Sequence, residues 1–212
     1  MKICVATYAT GSYAALCDLT DKNKADYCSL RGYGFERNHV DAAAHCAFFD
    51  RYAWYQSIMK DWDWLYCLDA DAIFTNFKKT LEEIIKPSDT IIFPLDAVMV
   101  QAGGFLARNC AETRQFFAEI ISKGGGPWKS DQIEIEWLIP KYKHLIRCIP
   151  QRTLGSYRYE HYRNLGGNYL KQIDREGNDG QWQPGDFVLH APGMPMESKL
   201  ALLSWGLSQV VR

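Results

Sequence analysis

Short apolar, β-branched runs alternate with helix-length stretches through the first half of this chain, and that alternation most restricts its fold. Residues 2–8 read as a buried strand, 13–30 as a helix ended by Gly32, and 33–40 as a second strand. Thr20-Asp21 marks where that first helix would break. Residues 50–60 follow as a helix with Tyr52, Tyr55, Ile58 and Met59 on its inner face, then 65–68 as the central strand. Strands and helices in this order build a mainly parallel sheet flanked by helices. Later short runs at 90–94, 98–100, 104–107, 144–149 and 186–189 make the expected sheet mixed. Further helices are expected at 78–85, stopped by Pro87, at 111–122 and 130–138, and from Glu197. Asn109 and Glu112 have the spacing of a capping box, and Ser130 is a second cap. Gly124-Gly125-Gly126-Pro127 reads as loop.

The central strand runs straight into Asp69-Ala70-Asp71. In open α/β sheets, ligands bind beyond the carboxyl ends of strands. Two acids spaced i, i+2 on a turn there can face one hard cation, which prefers oxygen ligands and keeps positions open for substrate phosphates. The alternative for this pair is a loop that caps the following helix. A second copy of the spacing, Asp61-Trp62-Asp63, precedes the strand and reads as a solvated turn at the wrong end of the sheet.

Composition narrows the classes further. A chain of 212 residues with 47% apolar and 23% charged residues holds a sizeable core, and we expect one domain, either alone or within a longer protein. A net charge of −1 offers no basic field for nucleic acid. No Gly-x-Gly-x-x-Gly or Walker loop is present. No stretch is long and apolar enough for a membrane span, and the start does not read as a signal peptide. Cysteines stand at 4, 17, 28, 46, 67, 110 and 148, scattered and without a Cys-x-x-Cys. They read as buried, reduced thiols, so the expected setting is a reducing, cytoplasmic one. A lone histidine on an apolar strand is ordinarily a satisfied core residue. That reading is given to His39, His45, His144 and His161, whereas His190 ends a strand before a Pro/Gly loop.

Longer motifs add a resemblance. Residues 23–33, Asn-Lys-Ala-Asp-Tyr-Cys-Ser-Leu-Arg-Gly-Tyr, resemble the N-K-x-D-Y-C-x-x-H-G-Y stretch of glycosyltransferase family 34. Residues 68–76 around Asp69 and Asp71 resemble that family's metal-binding segment. Residues 102–109, Ala-Gly-Gly-Phe-Leu-Ala-Arg-Asn, are similar to its N-T-G-x-F-L-x-R-N element. Ser130-Asp131-Gln132 resembles its D-D-Q, and residues 186–193 its closing F-x-x-H-x-x-G. The short, anchorless form is also similar to glycosyltransferase domains of large algal viruses, which would put it in a host cytoplasm.

The resemblance implies the GT-A nucleotide-sugar fold and a metal-dependent transfer of a sugar from a UDP-sugar to a carbohydrate acceptor, with retention of configuration. It implies Mn2+, or Mg2+, held by Asp69, Asp71 and His190. Asp69 would also contact ribose and sugar. Thr7, Tyr8 and Ala9 would line the uracil and ribose pocket, and Gly103 and Gly104 would let backbone approach the sugar. Gly193 and Lys199, the lysine nearest to where the family has its phosphate-binding one, would be among the nucleotide-sugar contacts, and Asp131 and Gln132 would face the reacting sugar and acceptor. The aromatic and Arg content of 151–165 offers stacking for an acceptor, or ordinary surface packing. Four positions depart from the family: Gln101 replaces Asn, Ser130 an acid, Gln56 a Lys, and Pro195 a phosphate-binding Lys. Two other readings are carried forward: a phosphohydrolase of the haloacid dehalogenase type, and a non-catalytic sugar-binding domain. Ile73, two residues after the second Asp, and the distance of the motif from the first strand disfavour the phosphohydrolase.

Overall fold

A computed structural model describes residues 1–41, 47–96, 99–124, 130–158 and 180–212. Its six-stranded sheet has the order β2-β1-β3-β6-β5-β7. These strands are β1 (Ile3–Thr10), β2 (Gly34–Val40), β3 (Trp64–Leu68), β5 (Ile91–Leu95), β6 (Gly104–Arg108) and β7 (Ile146–Pro150). β1 pairs in parallel with β2 and β3, and β5 with β7, while β6 runs antiparallel between β3 and β5. The sheet is therefore mixed and mostly parallel, as expected.

Both faces of the central strands are buried, which explains their unbroken apolar sequence. Side chains alternate between two cores. Cys4, Ala6, Leu65, Cys67, Phe105 and Ala107 face α2 (Ala47–Ile58), α3 (Ala111–Lys123) and α4 (Asp131–Tyr142), meeting Tyr52, Phe117 and Leu138. Ile3, Val5, Tyr66, Leu68 and Leu106 point the other way, toward Tyr27 of α1 (Ala14–Arg31) and Phe74. A third cluster joins Leu16 of α1 to Leu202 and Leu203 of α5 (Met196–Leu207).

α1 is continuous through Thr20-Asp21, because both side chains turn inward and are buried. It stops at Gly32, which takes the left-handed conformation at φ 70°. The helix expected at 78–85 is absent. Leu81 is buried and its carbonyl accepts from the N–H groups of Ile84 and Ile85, giving a turn that does not propagate. Asn109 is not the cap of α3. That place is held by Cys110, and Asn109 instead donates to the Trp62 carbonyl at 2.9 Å. Ser130 is the N-cap residue of α4 without a side-chain capping bond. Of the strand expected at 98–100, Val100 forms a bridge to Leu95 and Met99 lies in a bend, while residue 98 lies outside the described residues. Cys4, Cys17, Cys28 and Cys67 are buried free thiols, but Cys148 is exposed on β7 and Cys110 partly so. Cys46, His45, His161 and the glycines at 125 and 126 lie outside the described residues. No helix among the described residues is long and apolar enough to cross a membrane.

The strand expected at 186–189 is found at 188–190, but its partner was not foreseen. β4 (Ala72–Phe74) and β8 (Val188–His190) pair antiparallel, with Ala72 opposite His190. At three residues β4 leaves too short a pattern to read in sequence. This pair carries the late segment of the chain back onto the turn after β3.

Candidate active site

The turn at 69–71 is held from several sides. The Asp69 N–H donates to the Gly103 carbonyl at 2.8 Å, and the Ala191 N–H to the Asp71 carbonyl at 2.9 Å. From α1, the Thr20 hydroxyl donates to the Ala70 carbonyl at 2.8 Å. Lys24, fully buried, donates to the carbonyls of Asp69 at 2.9 Å and Ala70 at 3.3 Å. Asn23 holds both the N–H and the carbonyl of Phe74. The Asn23-Lys24 pair thus braces the turn rather than facing ligand. Burial pulls the Lys24 ammonium down to about 8, with Asp21 and the nearby carboxylates opposing.

This bracing fixes two carboxylates. The Asp71 Oδ1 lies 3.1 Å from His190 Nε2, and Asp69 Oδ2 lies 3.7 Å from the same nitrogen. Ligand atoms of all three residues fall within 4.8 Å of one another. Because β6 runs antiparallel to β3, its start lies beside the end of β3, and this puts Gly103 over the group. A Cβ on Gly103 would stand 2.3 Å from His190 Cε1 and 2.7 Å from Asp69 Oδ2. Two carboxylates and one imidazole around a space that even a methyl group would close fit a Mn2+ or Mg2+ ion. Lys199 from α5, itself buried, forms an ion pair with Asp71. Burial opposes ionisation of Asp71, yet His190 and Lys199 outweigh it and hold the carboxyl well below its ordinary value. Burial pushes the Asp69 carboxyl up, with Arg51 opposing and Asp71 adding.

A second buried network faces the first. Arg51 of α2 donates to Asp69 Oδ1 at 2.6 Å, to the Ala102 carbonyl at 3.0 Å, and to Asp131 Oδ2. The Tyr52 hydroxyl donates to the same Asp131 oxygen at 2.8 Å. Asp131, in the first turn of α4, also accepts the Gln132 N–H through Oδ1 at 2.9 Å. Arg51 therefore ties the metal-type carboxylate to the acid of α4. It was missed in sequence, although a signal was present: Arg51 precedes Tyr55 by four residues and so falls on the inner face of α2. Gln101 was noted only as a departure. Its side-chain amide lies 2.8 Å from His190 Nδ1 and 3.0 Å from the Tyr157 hydroxyl. A hydrogen bond at Nδ1 fixes the ring and leaves Nε2 directed at the carboxylates.

A cavity of about 480 Å³ opens over these groups. Tyr8, Ala9, Gly103, Gln132, Gly193 and Lys199 line it together with Asp69, Asp71, Asp131 and His190. Thr7 and Gly104 stand behind its wall. Thr7 is buried and donates to the Leu68 carbonyl at 3.0 Å, and Gly104 sits against the Leu154 carbonyl and the Tyr66 hydroxyl. Among the four departures, Gln101 and Ser130 line the cavity, whereas Gln56 binds the Arg114 carbonyl elsewhere. Pro195 is the N-cap residue of α5, which lets that helix deliver Lys199. His39 and His144 are exposed rather than core residues. Of the 151–165 tract, Tyr157 lines the cavity, and residues 159–165 lie outside the described ones.

Comparison with known proteins bears on this geometry. Residues 5–91 match the model of the galactosyl transferase GMA12/MNN10 family. None of the curated proteins matches the chain significantly in sequence. Among solved structures, a glycosyltransferase involved in glycosylation of the major capsid of PBCV-1 has 14% identity and a TM-score of 0.69, over 95% of this chain and 99% of that one. The glycosyltransferase GlyE of Streptococcus pneumoniae TIGR4 gives 14% and 0.60, over 98% of this chain and 60% of that one. Mouse xyloside xylosyltransferase 1 gives 11% and 0.53, over 92% and 99%. At these identities the likeness is one of fold, and the fold is GT-A. It does not favour the phosphohydrolase reading.

Proposed function

We propose that this chain, a glycosyltransferase of the GT-A fold that matches the galactosyl transferase GMA12/MNN10 family over residues 5–91, moves a sugar from a UDP-sugar to a carbohydrate acceptor. The observation that carries the reading is the meeting of Asp69, Asp71 and His190 in the wall of the cavity that also holds Asp131 and Gln132. A divalent ion held by the first three would stabilise the charge that develops on a departing diphosphate. Lys199, on the same wall, adds a fixed positive charge beside Asp71. Tyr8, at the end of β1, offers a ring face to the base.

The state of Asp131 supports retention of configuration. An inverting transfer needs a carboxylate free to take the acceptor proton. Both Arg51 and Tyr52 already donate to Asp131 Oδ2, and its Oδ1 accepts from Gln132. Its role is then to hold Arg51 and the start of α4, with Gln132 presented to the sugar. The acceptor hydroxyl attacks on the face from which the diphosphate departs, and its proton passes to the leaving group.

The test is nucleotide release. The chain is incubated with Mn2+ and a panel of nucleotide sugars, with and without oligosaccharide acceptors. We expect UDP release from at least one UDP-sugar, stimulated by acceptor, stopped by chelation, and yielding product of unchanged anomeric configuration. Hydrolysis of simple phosphate esters, or binding of UDP-sugars without turnover, would reject the reading.

A further inference from the structure

Outside the cavity, α1 and the edge strand β2 bring a second set of ligand-type side chains together. Cys17 and Asp21 are one turn apart on α1 and share a face. His39 reaches them from β2, and the three ligand atoms lie within 4.8 Å of one another. His39 Nε2 is 3.3 Å from Asp21 Oδ2. Asp21 is only 6% exposed, and its Oδ1 has no hydrogen-bond partner among the described residues. A buried carboxylate oxygen without a donor is uncommon and points to an ion or water.

We propose that Cys17, Asp21 and His39 bind a divalent ion of the zinc class. A thiolate and an imidazole select a softer ion than the carboxylate-rich group at 69, 71 and 190 does. Three protein ligands leave a fourth tetrahedral position for water, on the side where His39 is exposed. Burial, with Asp21 adding, pushes the Cys17 thiol up to about 11. Binding therefore displaces one proton from Cys17 to solvent as the sulfur ligates. Two cations stand near Asp21. Arg37 lies 3.0 Å from Oδ2, but its side chain is 60% exposed and turns to solvent at little cost. Lys24 spends its hydrogen bonds on the carbonyls of Asp69 and Ala70. Thr20 and Lys24 flank Asp21 along α1 and both grip the catalytic turn, so an ion here would pin β2 to the helix that braces it.

The test is a titration of the whole chain with Co2+, a spectroscopic stand-in for zinc. We expect a near-ultraviolet thiolate-to-cobalt band that saturates at one ion per chain and is lost in Cys17→Ser. His39→Ala should need at least about tenfold more cobalt to reach the same band. Cobalt at 69, 71 and 190 has no sulfur ligand and leaves the band silent. His39 lies exposed on an edge strand, so its variant decides the matter even if Cys17→Ser fails to fold. Absence of the band, its survival in Cys17→Ser, or an unchanged titration in His39→Ala overturns the proposal.

Discussion

The ammonium of Lys24 lies 2.9 Å from the main-chain carbonyl of Asp69, so the turn at 69–71 is gripped by a fully buried side chain of α1. Replacing Lys24 with Met keeps the volume but leaves the Asp69 carbonyl short of a donor, while the Ala70 carbonyl keeps the Thr20 hydroxyl. We expect a loss of about 1–3 kcal/mol, read as a lower Tm, and a higher Mn2+ concentration for half-maximal UDP release. The pH dependence has a definite sign. Between about 8 and 10.5 the unfolded chain holds a proton at Lys24 that the folded chain has shed. The contribution of this group to stability therefore rises with pH across that window, and Lys24→Met should flatten the rise.

Asp71 and Lys199 form a buried ion pair, and removing one partner strands the other. Asp71→Asn is expected to abolish metal-dependent turnover and to cost about 3–5 kcal/mol of stability. Adding Lys199→Met should restore much of the stability and none of the activity. Urea unfolding of both single variants and the double variant measures the coupling. Additive losses would count against the pair.

Gly103→Ala separates the metal group from the fold. Its new methyl meets only side-chain atoms of His190 and Asp69 among the nearest contacts. The imidazole must swing aside, so metal-dependent activity should fall about a hundredfold while the unfolding midpoint changes little. An activity near that of the natural protein would mean that His190 is not a ligand.

Gln101 fixes the ring of His190 through Nδ1. Gln101→Leu should weaken Mn2+ affinity by about 10–100-fold, and Gln101→Asn should sit between the two. Isothermal titration with Mn2+ alone distinguishes this from a loss of donor binding.

Much of this arrangement was legible in the chain. β1, β3 and β6 show as apolar runs because both their faces are buried, and Asp69-Ala70-Asp71 stands out because it breaks such a run. His190 was readable from its place before Pro192-Gly193. What escaped was long-range. Nothing local in Ala72–Phe74 announces a partner at Val188–His190, and the reach of Arg51 to both Asp69 and Asp131 depends on how α2 packs on the sheet. The expected helix at 78–85 failed for a related reason: Leu81 is taken into the core beneath a turn, which outweighs local propensity. Histidines on β2 and before β7 were judged by strand composition, which says nothing about which strands form an edge.

The pairing of Ala72 with His190 has a consequence for biosynthesis. A polypeptide still leaving the ribosome owns both aspartates long before it owns their imidazole partner. Capture of the proposed cation is thereby postponed until residue 190 has emerged and docked, and a translation product ending before it lacks the proposed ligand set even with most of its sheet in place.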